Sequence, residues 1–165
     1  LIEAVEIKGN LLTQYEGIFR FIKRYTDIEK ERRKRKLALV TEKVVQERGY
    51  YHSYSISEAI INMLTHRDLA LREIRTRVNI YDNAIEFINP RRTIGFGPTA
   101  ARAIRYGISQ RLNPQISSIF TRREYGVHAP HGGLPMILKQ SNRFAQRKPE
   151  IYTSNDEFKL KIYAA

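Results

Sequence analysis

Two neighbouring stretches decide the fold: residues 55–68, SISEAIINMLTHRD, and residues 75–90, RTRVNIYDNAIEFINP. At 100° per residue, the first stretch places four apolar residues on one side and four polar residues on the other. The apolar set is Ile56, Ile60, Met63 and Leu64, and the polar set is Glu58, Asn62, Thr65 and His66. This pattern predicts a helix with one buried and one solvated face.

The second stretch has the period of a half-buried strand. Ile74, Thr76, Val78 and Ile80 alternate with Arg75, Arg77, Asn79 and Tyr81. Asp82 and Asn83 then supply a tight turn into 84–88, which predicts a β-hairpin. A helix followed by a hairpin is typical of a fold that mixes helices with an antiparallel sheet.

Further elements lie on both sides of these stretches. Asn10 is a candidate N-cap for a helix that extends to about Tyr25, and Asn113-Pro114 starts another helix. A glycine-rich stretch, 126–135, leads into a helix that we expect to bury Leu134, Ile137, Leu138 and Phe144. Residues 151–153 and 158–162 predict a second hairpin around Asn155-Asp156. Residues 26–49 fit helix and strands equally well.

Charge and composition limit the functional classes. The chain has no cysteine, which excludes disulfides and thiolate metal sites and favours a cytoplasmic location. Its net charge is +12, and between Arg91 and Lys148 eleven basic residues face a single acid, Glu124. We therefore expect an anionic partner, either nucleotide phosphates, nucleic acid or an acidic domain, although a basic surface also occurs without any such role. No apolar run reaches the roughly 20 residues of a membrane span.

The polar side of the first helix allows two interpretations. Glu58 and Asn62 stand one turn apart, and a carboxylate and an amide so placed can polarise water and hold a hard cation that bridges phosphates. Ser55 and Glu58 also fit a capping box, in which the glutamate only reaches back to the helix start. Gly132-Gly133 can likewise be an ordinary turn or a phosphate cradle at a helix N-terminus.

Taken together, the order of these motifs resembles the RecG-related C-terminal domain of the histidine-kinase-type (GHKL) ATPase superfamily. The resemblance covers about Tyr51 to Tyr163, and the segment 9–24 is similar to the lead-in of such proteins. It implies an α/β (α+β) two-layer sandwich with helices on one face of a mixed sheet. We expect residues 1–50 to be a lead-in helix and charged connecting segment, and residues 51–165 to be the ATPase-like domain.

The resemblance also implies roles for residues. Glu58 matches the glutamate that activates water, and Asn62 matches the asparagine that binds Mg²⁺. The resemblance further implies that ATP contacts His66, that Asn89 lies beside the base, and that Gly132 and Gly133 lie near the phosphates. Arg91, Arg92, Arg122 and Arg123 are candidate nucleic-acid contacts.

Two departures from the family pattern weaken the catalytic expectation. An amide, Asn89, stands where the superfamily has an aspartate, and Arg91-Arg92 replace the glycines that commonly follow Asn-Pro in the RecG-related group. We therefore expect a regulatory domain that binds ATP and Mg²⁺ and hydrolyses ATP weakly or not at all. The resemblance implies that it belongs to a DNA-associated transcriptional regulator with a Schlafen-type, Alba-like domain ahead of it. A homo-oligomer is a further possible partner arrangement. The alternatives are a ligand-free scaffold with a basic surface for nucleic acid or another subunit, and an active ATPase.

Overall fold

A computed structural model of the chain describes residues 3–30, 48–71, 73–90, 114–122, 133–154 and 156–165. The helices in these ranges are α1 (Leu11–Tyr25), α2 (Ser53–Thr65), α3 (Pro114–Thr121) and α4 (Gly133–Ala145). The strands are β1 (Asp27–Glu29), β2 (Tyr50–His52), β3 (Arg77–Ile80), β4 (Ala84–Pro90), β5 (Glu150–Thr153) and β6 (Glu157–Tyr163). Within the described part of the chain, every helix is too short or too polar to cross a membrane.

The strands form two sheets. β3, β4, β6 and β5 lie side by side in that order, and each neighbouring pair is antiparallel. β1 and β2 form a separate parallel pair. The predicted hairpin over 75–88 is confirmed, because Ile80 pairs with Ile85 across the Asp82-Asn83 turn. The second predicted hairpin is also confirmed by the pairing of β5 with β6.

One face of the four-stranded sheet packs against the helices. Because side chains alternate along a strand, Ile85 and Phe87 of β4 lie on the same face as their partners Ile162 and Leu160 of β6. All four belong to one hydrophobic core with Ile56 and Ile60 of α2. The predicted α+β fold is therefore confirmed.

The lead-in helix α1 joins that same core. It starts at the predicted cap, where the Thr13 backbone N–H donates to Asn10 Oδ1 at 3.0 Å, and it ends at the predicted Tyr25. Ile22 is fully buried, and the Tyr15 hydroxyl shares a 2.6 Å hydrogen bond with Ser57 of α2. The proposed division of the chain at residue 50 stays a prediction.

The predictions for α2 were partly wrong. The helix begins at Ser53 after the N-cap residue His52, so Ser55 lies inside the helix and cannot serve as the cap of a capping box. The helix ends at Thr65, three residues before the predicted end. Its polar side is not a solvated face either, because Glu58 and Thr65 are each only 6% exposed. This helix is buried on both sides because other helices cover the side that faces away from the sheet.

The other face of the sheet carries paired charged side chains next to the buried Ala84 and Ile88. Glu86 lies between two lysines, with Lys159 Nζ at 3.7 Å and Lys161 Nζ at 3.5 Å from its carboxylate. Tyr163 also lies on this face and is 6% exposed, and the Arg147 guanidinium stacks 3.4 Å from its ring centroid. The sequence left the conformation of residues 26–49 open, and the structure shows that this segment contains β1. Residues 31–47 of the segment lie outside the described ranges.

Candidate functional site

Glu58 is a buried acid of the candidate site, with only 6% of its surface exposed. It lies in the second turn of α2, which packs against α4, and the Gly133 backbone N–H is close enough to the Glu58 carboxylate to lower the pKa of that group. One carboxylate oxygen, Oε2, is buried without a hydrogen-bond partner among the described residues. A buried polar atom left without a partner is costly, and Tyr51 Oη and Ser141 Oγ share this state, so a water, an ion or a functional role can each account for it.

Burial changes the acidity of this group. It raises the pKa of Glu58 from its ordinary 4.5 to about 7, and the hydrogen bond from Gly133 opposes part of that rise. Removal of a carboxylate from water disfavours its charged form, whereas a donor at a helix N-terminus favours it. Glu58 can therefore gain or lose a proton near neutral pH, which a general base requires.

Asn62 lies one turn after Glu58 and lines a cavity of about 10 Å³ between α2 and the sheet. Asn89 lines the same cavity, and the apolar part of the lining comes from both layers: Ala59, Met63, Phe87, Phe158 and Leu160. The volume corresponds to about one water molecule. Asn62 and Asn89 therefore line the same cavity, which is far smaller than a nucleoside.

Asn89 is held in place by two hydrogen bonds. Its Nδ2 donates to the Met63 carbonyl at 2.9 Å, and its Oδ1 accepts from the Thr76 hydroxyl at 3.2 Å. The residue is 5% exposed. An amide has one further N–H and one further lone pair, so Asn89 keeps one donor and one acceptor after these two bonds.

Of the other predicted site residues, two lie in the described part of the chain and four lie outside it. His66 is the C-cap of α2, where its backbone N–H donates to the Asn62 carbonyl at 3.0 Å, and Arg122 is exposed just after α3. His66 is not one of the described residues that line the cavity. The predicted contacts at Gly132, Arg91, Arg92 and Arg123 lie outside the described residues.

The residues present fit the phosphate end of a nucleotide better than its base. Gly133 has a φ of +55°, and no described atom lies within 4 Å of the point where a side chain would start, so the first turn of α4 offers open backbone. Oxygen donors suit Mg²⁺, and the Asn62 amide is one of them, whereas Glu58 is not among the described residues that line the cavity of Asn62. Within the described ranges, this site included, no group of three His, Asp or Glu side chains is arranged to hold a metal ion.

Sequence reasoning missed Thr76 and Phe158. Thr76 was assigned only to the alternating pattern of a strand, although a hydroxyl on the buried side of such a strand needs a partner, and that partner is Asn89. Phe158 pairs with Asn89 across β4 and β6, so it reaches the cavity only through the strand register. A register that joins strands some 70 residues apart leaves no local signal in the sequence.

Comparison with known proteins gives one match. A family model described as "Putative ATP-dependent DNA helicase recG C-terminal" matches residues 74–162, just over half of the chain. The match includes Asn89 and Gly133, whereas Glu58 and Asn62 precede it. No curated protein and no solved structure matches the chain significantly.

Proposed function

Because the chain belongs to the family of RecG-type C-terminal, ATPase-like domains, we propose that it binds ATP with Mg²⁺ between α2 and α4 and hydrolyses it weakly or not at all. The observation that carries the proposal is the contact of Glu58 with the first residue of α4. An acid close to an open helix N-terminus, with an amide one turn later on the same helix, supports a site for a phosphate group. Anions bind readily at such a helix end.

Each described residue has a role in this proposal. The backbone N–H groups of the first turn of α4 that follow Gly133 receive a phosphate group. Asn62 supplies an oxygen ligand to Mg²⁺, which would screen the negative charge of the phosphates. Asn89 meets the edge of the base with its remaining donor and acceptor.

Hydrolysis would depend on Glu58 as the general base. In its ionised form the carboxylate accepts a proton from the water that attacks the terminal phosphorus, while the bond to the leaving ADP breaks. A pKa of about 7 leaves a large share of Glu58 protonated at neutral pH, and a protonated carboxyl cannot accept that proton. This share, together with the amide at position 89 and the lost glycines at 91 and 92, supports weak turnover.

The cavity beside Asn89 has to widen before the purine base of ATP can enter it. A cavity of about 10 Å³ takes a single water molecule, so a purine would displace that water and widen the gap between α2 and the sheet. Phe158 is the half-buried wall of that cavity, and we propose that its ring moves to admit the base.

Titration calorimetry with ATP and Mg²⁺ tests the proposal. The wild-type chain is expected to release or absorb heat on binding, and Asn62→Ala is expected to lose at least tenfold in affinity because a magnesium ligand is gone. Asn142→Ala is a matched control, since Asn142 is exposed on α4. Absence of binding to the wild type would overturn the proposal, and equal affinity in Asn62→Ala would remove Asn62 from the site.

The small cavity also favours a second candidate function, a ligand-free scaffold of the same fold whose basic surface contacts nucleic acid. Eleven basic residues against one acid between Arg91 and Lys148 support it, and Arg122 is one of these that is described and exposed. Such a domain would bind DNA with an affinity that falls steeply with salt, because contacts to phosphates release counterions. It would also ignore ATP. DNA binding that is absent or insensitive to salt would exclude this candidate.

A further inference from the structure

The face of the four-stranded sheet that is turned away from the core carries three tyrosines. Because side chains alternate along a strand, Tyr152 of β5 and Tyr163 of β6 lie on this face together with Glu86 and Lys161. Tyr81, which directly follows β3, joins them, since its hydroxyl donates to Glu86 Oε2 at 3.3 Å. Tyr81 and Tyr152 are 49% and 51% exposed, so a large part of each ring is open to solvent.

Hydrogen bonds hold these rings in place by their edges. Tyr152 and Tyr163 both donate to the Glu150 carboxylate, Tyr163 at 2.6 Å. The exposed Arg147 covers the Tyr163 ring with its guanidinium, and a guanidinium plane is itself a surface on which a nucleic-acid base can stack. Rings that are already fixed lose little conformational freedom when a flat ligand stacks on them.

Positive charge lies outermost on the same face. Lys159 and Lys161 share the single carboxylate of Glu86, and their side chains are 31% and 27% exposed whereas that of Glu86 is 10% exposed. A partner that approaches the sheet therefore meets the two ammonium groups before the acid. Arg77 and Glu157, at one end of the face, pair with each other and cancel. The arrangement is complementary to a chain of negative charges.

Tyr81 and Tyr152 lie at opposite corners of this face. Tyr152 stands in one row with Lys159, Ile88 and Arg77 across the four strands. Tyr81 is on the opposite edge and four residues beyond Arg77, so the two rings are about 20 Å apart, with the lysines between them. Aromatic rings separated by cations match an extended single strand, in which unpaired bases stack and the backbone phosphates lie between them.

We propose that this face binds a single strand of nucleic acid, with bases stacked on Tyr81 and Tyr152 and phosphates paired with Lys159 and Lys161. The inference goes beyond the proposed function, because the cavity at Asn62 lies on the opposite side of the sheet and neither ATP nor Mg²⁺ is needed. A duplex should bind at least fivefold more weakly, since its bases are stacked on each other and cannot reach the tyrosines.

Fluorescence anisotropy of a labelled oligodeoxythymidylate, titrated with the whole chain at 50 mM salt, tests the stacking. Tyr81→Ala and Tyr152→Ala should each weaken binding about fivefold or more. Tyr81→Phe and Tyr152→Phe keep the ring and lose only the hydroxyl, so both should stay within twofold of the wild type. Equal losses in the phenylalanine and alanine variants would overturn the stacking, because the hydroxyl contacts alone would then explain the effect.

A charge variant tests the phosphate contacts. Lys159→Gln leaves Glu86 paired with Lys161, and the slope of log affinity against log salt should become shallower by about 0.7, the value for one phosphate of a single strand. Lys23→Gln removes an exposed cation from α1 and should keep the wild-type slope. An unchanged slope in Lys159→Gln would contradict the proposed pairing.

Competitors and the oligomeric state separate this partner from others. Equal competition by a duplex of the same length or by a polyglutamate peptide would overturn the inference. So would absence of binding, or single-strand binding that both alanine variants retain, since that binding would belong to another surface such as 91–148. A dimer in sedimentation equilibrium that Tyr152→Ala abolishes would instead make the face a contact between two copies of the chain, which also overturns the inference.

Discussion

The side-chain amide of Asn89 donates to the Met63 carbonyl at 2.9 Å and so joins the end of β4 to the last turn of α2. Carbonyl groups in the last turn of a helix commonly lack an intrahelical partner. An ionised aspartate at this position has no N–H to give, so it would leave that carbonyl without this donor. The amide that departs from the superfamily pattern therefore has a structural reason to be present.

Replacement of Asn89 by alanine should destabilise the fold. It removes a buried hydrogen bond at both Met63 and Thr76, and we expect the free energy of unfolding to fall by about 1–3 kcal/mol. Urea denaturation followed by circular dichroism measures the change. Asn142→Ala, at an exposed position of α4, should stay within about 0.5 kcal/mol of the wild type. Equal stability of the two variants would show that the Met63 bond contributes nothing.

The burial of Glu58 predicts how stability depends on pH. Because its pKa is about 7 in the folded chain and near 4.5 when unfolded, the folded state binds more protons between these values. The free energy of unfolding should therefore fall as pH rises from about 4.5 to about 7, by on the order of 3 kcal/mol for this group, and the loss should persist above pH 7.

Glu58→Gln removes that loss, so its stability relative to the wild type should rise across the same pH range. Urea midpoints of both proteins at pH 4.5, 5.5, 6.5 and 8 give the difference, and groups shared by the two proteins cancel. Parallel curves would mean that Glu58 ionises in the folded chain as it does in water.

Any phosphate release should also follow the ionisation of Glu58. A general base acts only when deprotonated, so the rate of ATP hydrolysis should rise with pH and level off above about 7. A malachite-green assay of released phosphate from pH 5.5 to 8.5 measures it. Glu58→Ala should abolish release, and release that persists in this variant with the same pH profile would point to a contaminating ATPase.

The burial of Ile22 predicts that α1 unfolds together with the sheet. Ile22→Ala should lower the stability of the whole domain by about 2–5 kcal/mol, because the side chain is fully buried in the core shared with α2. Tyrosine fluorescence and far-ultraviolet circular dichroism should report one common transition. Val5→Ala, at a position 53% exposed, is the control. Two separate transitions would support a boundary near residue 50.

Local sequence signals predicted the elements well. The Asn10 cap, the turn at Asp82-Asn83 and the start of a helix at Pro114 each depend on a few neighbouring residues, and each has its predicted place. These features follow from backbone preferences and side-chain period alone.

The candidate site was harder to predict because its environment is made by distant segments. Glu58 has the spacing of a solvated residue or a cap, yet α4, which starts 75 residues later, buries it and gives it a donor. The partner of Asn89 is a carbonyl on α2, which no side-chain pattern can reveal. The types of residue at the site were thus predictable, whereas their burial and acidity were not.

The position of β6 in the sheet also bears on how the protein is made. β6 lies between β4 and β5, yet the ribosome completes it after both of them. Until it emerges, β4 has a bare hydrogen-bonding edge beside an apolar surface, which is a template for pairing with other chains. Nascent chains of this domain should therefore depend on chaperones until translation of 157–163 is finished.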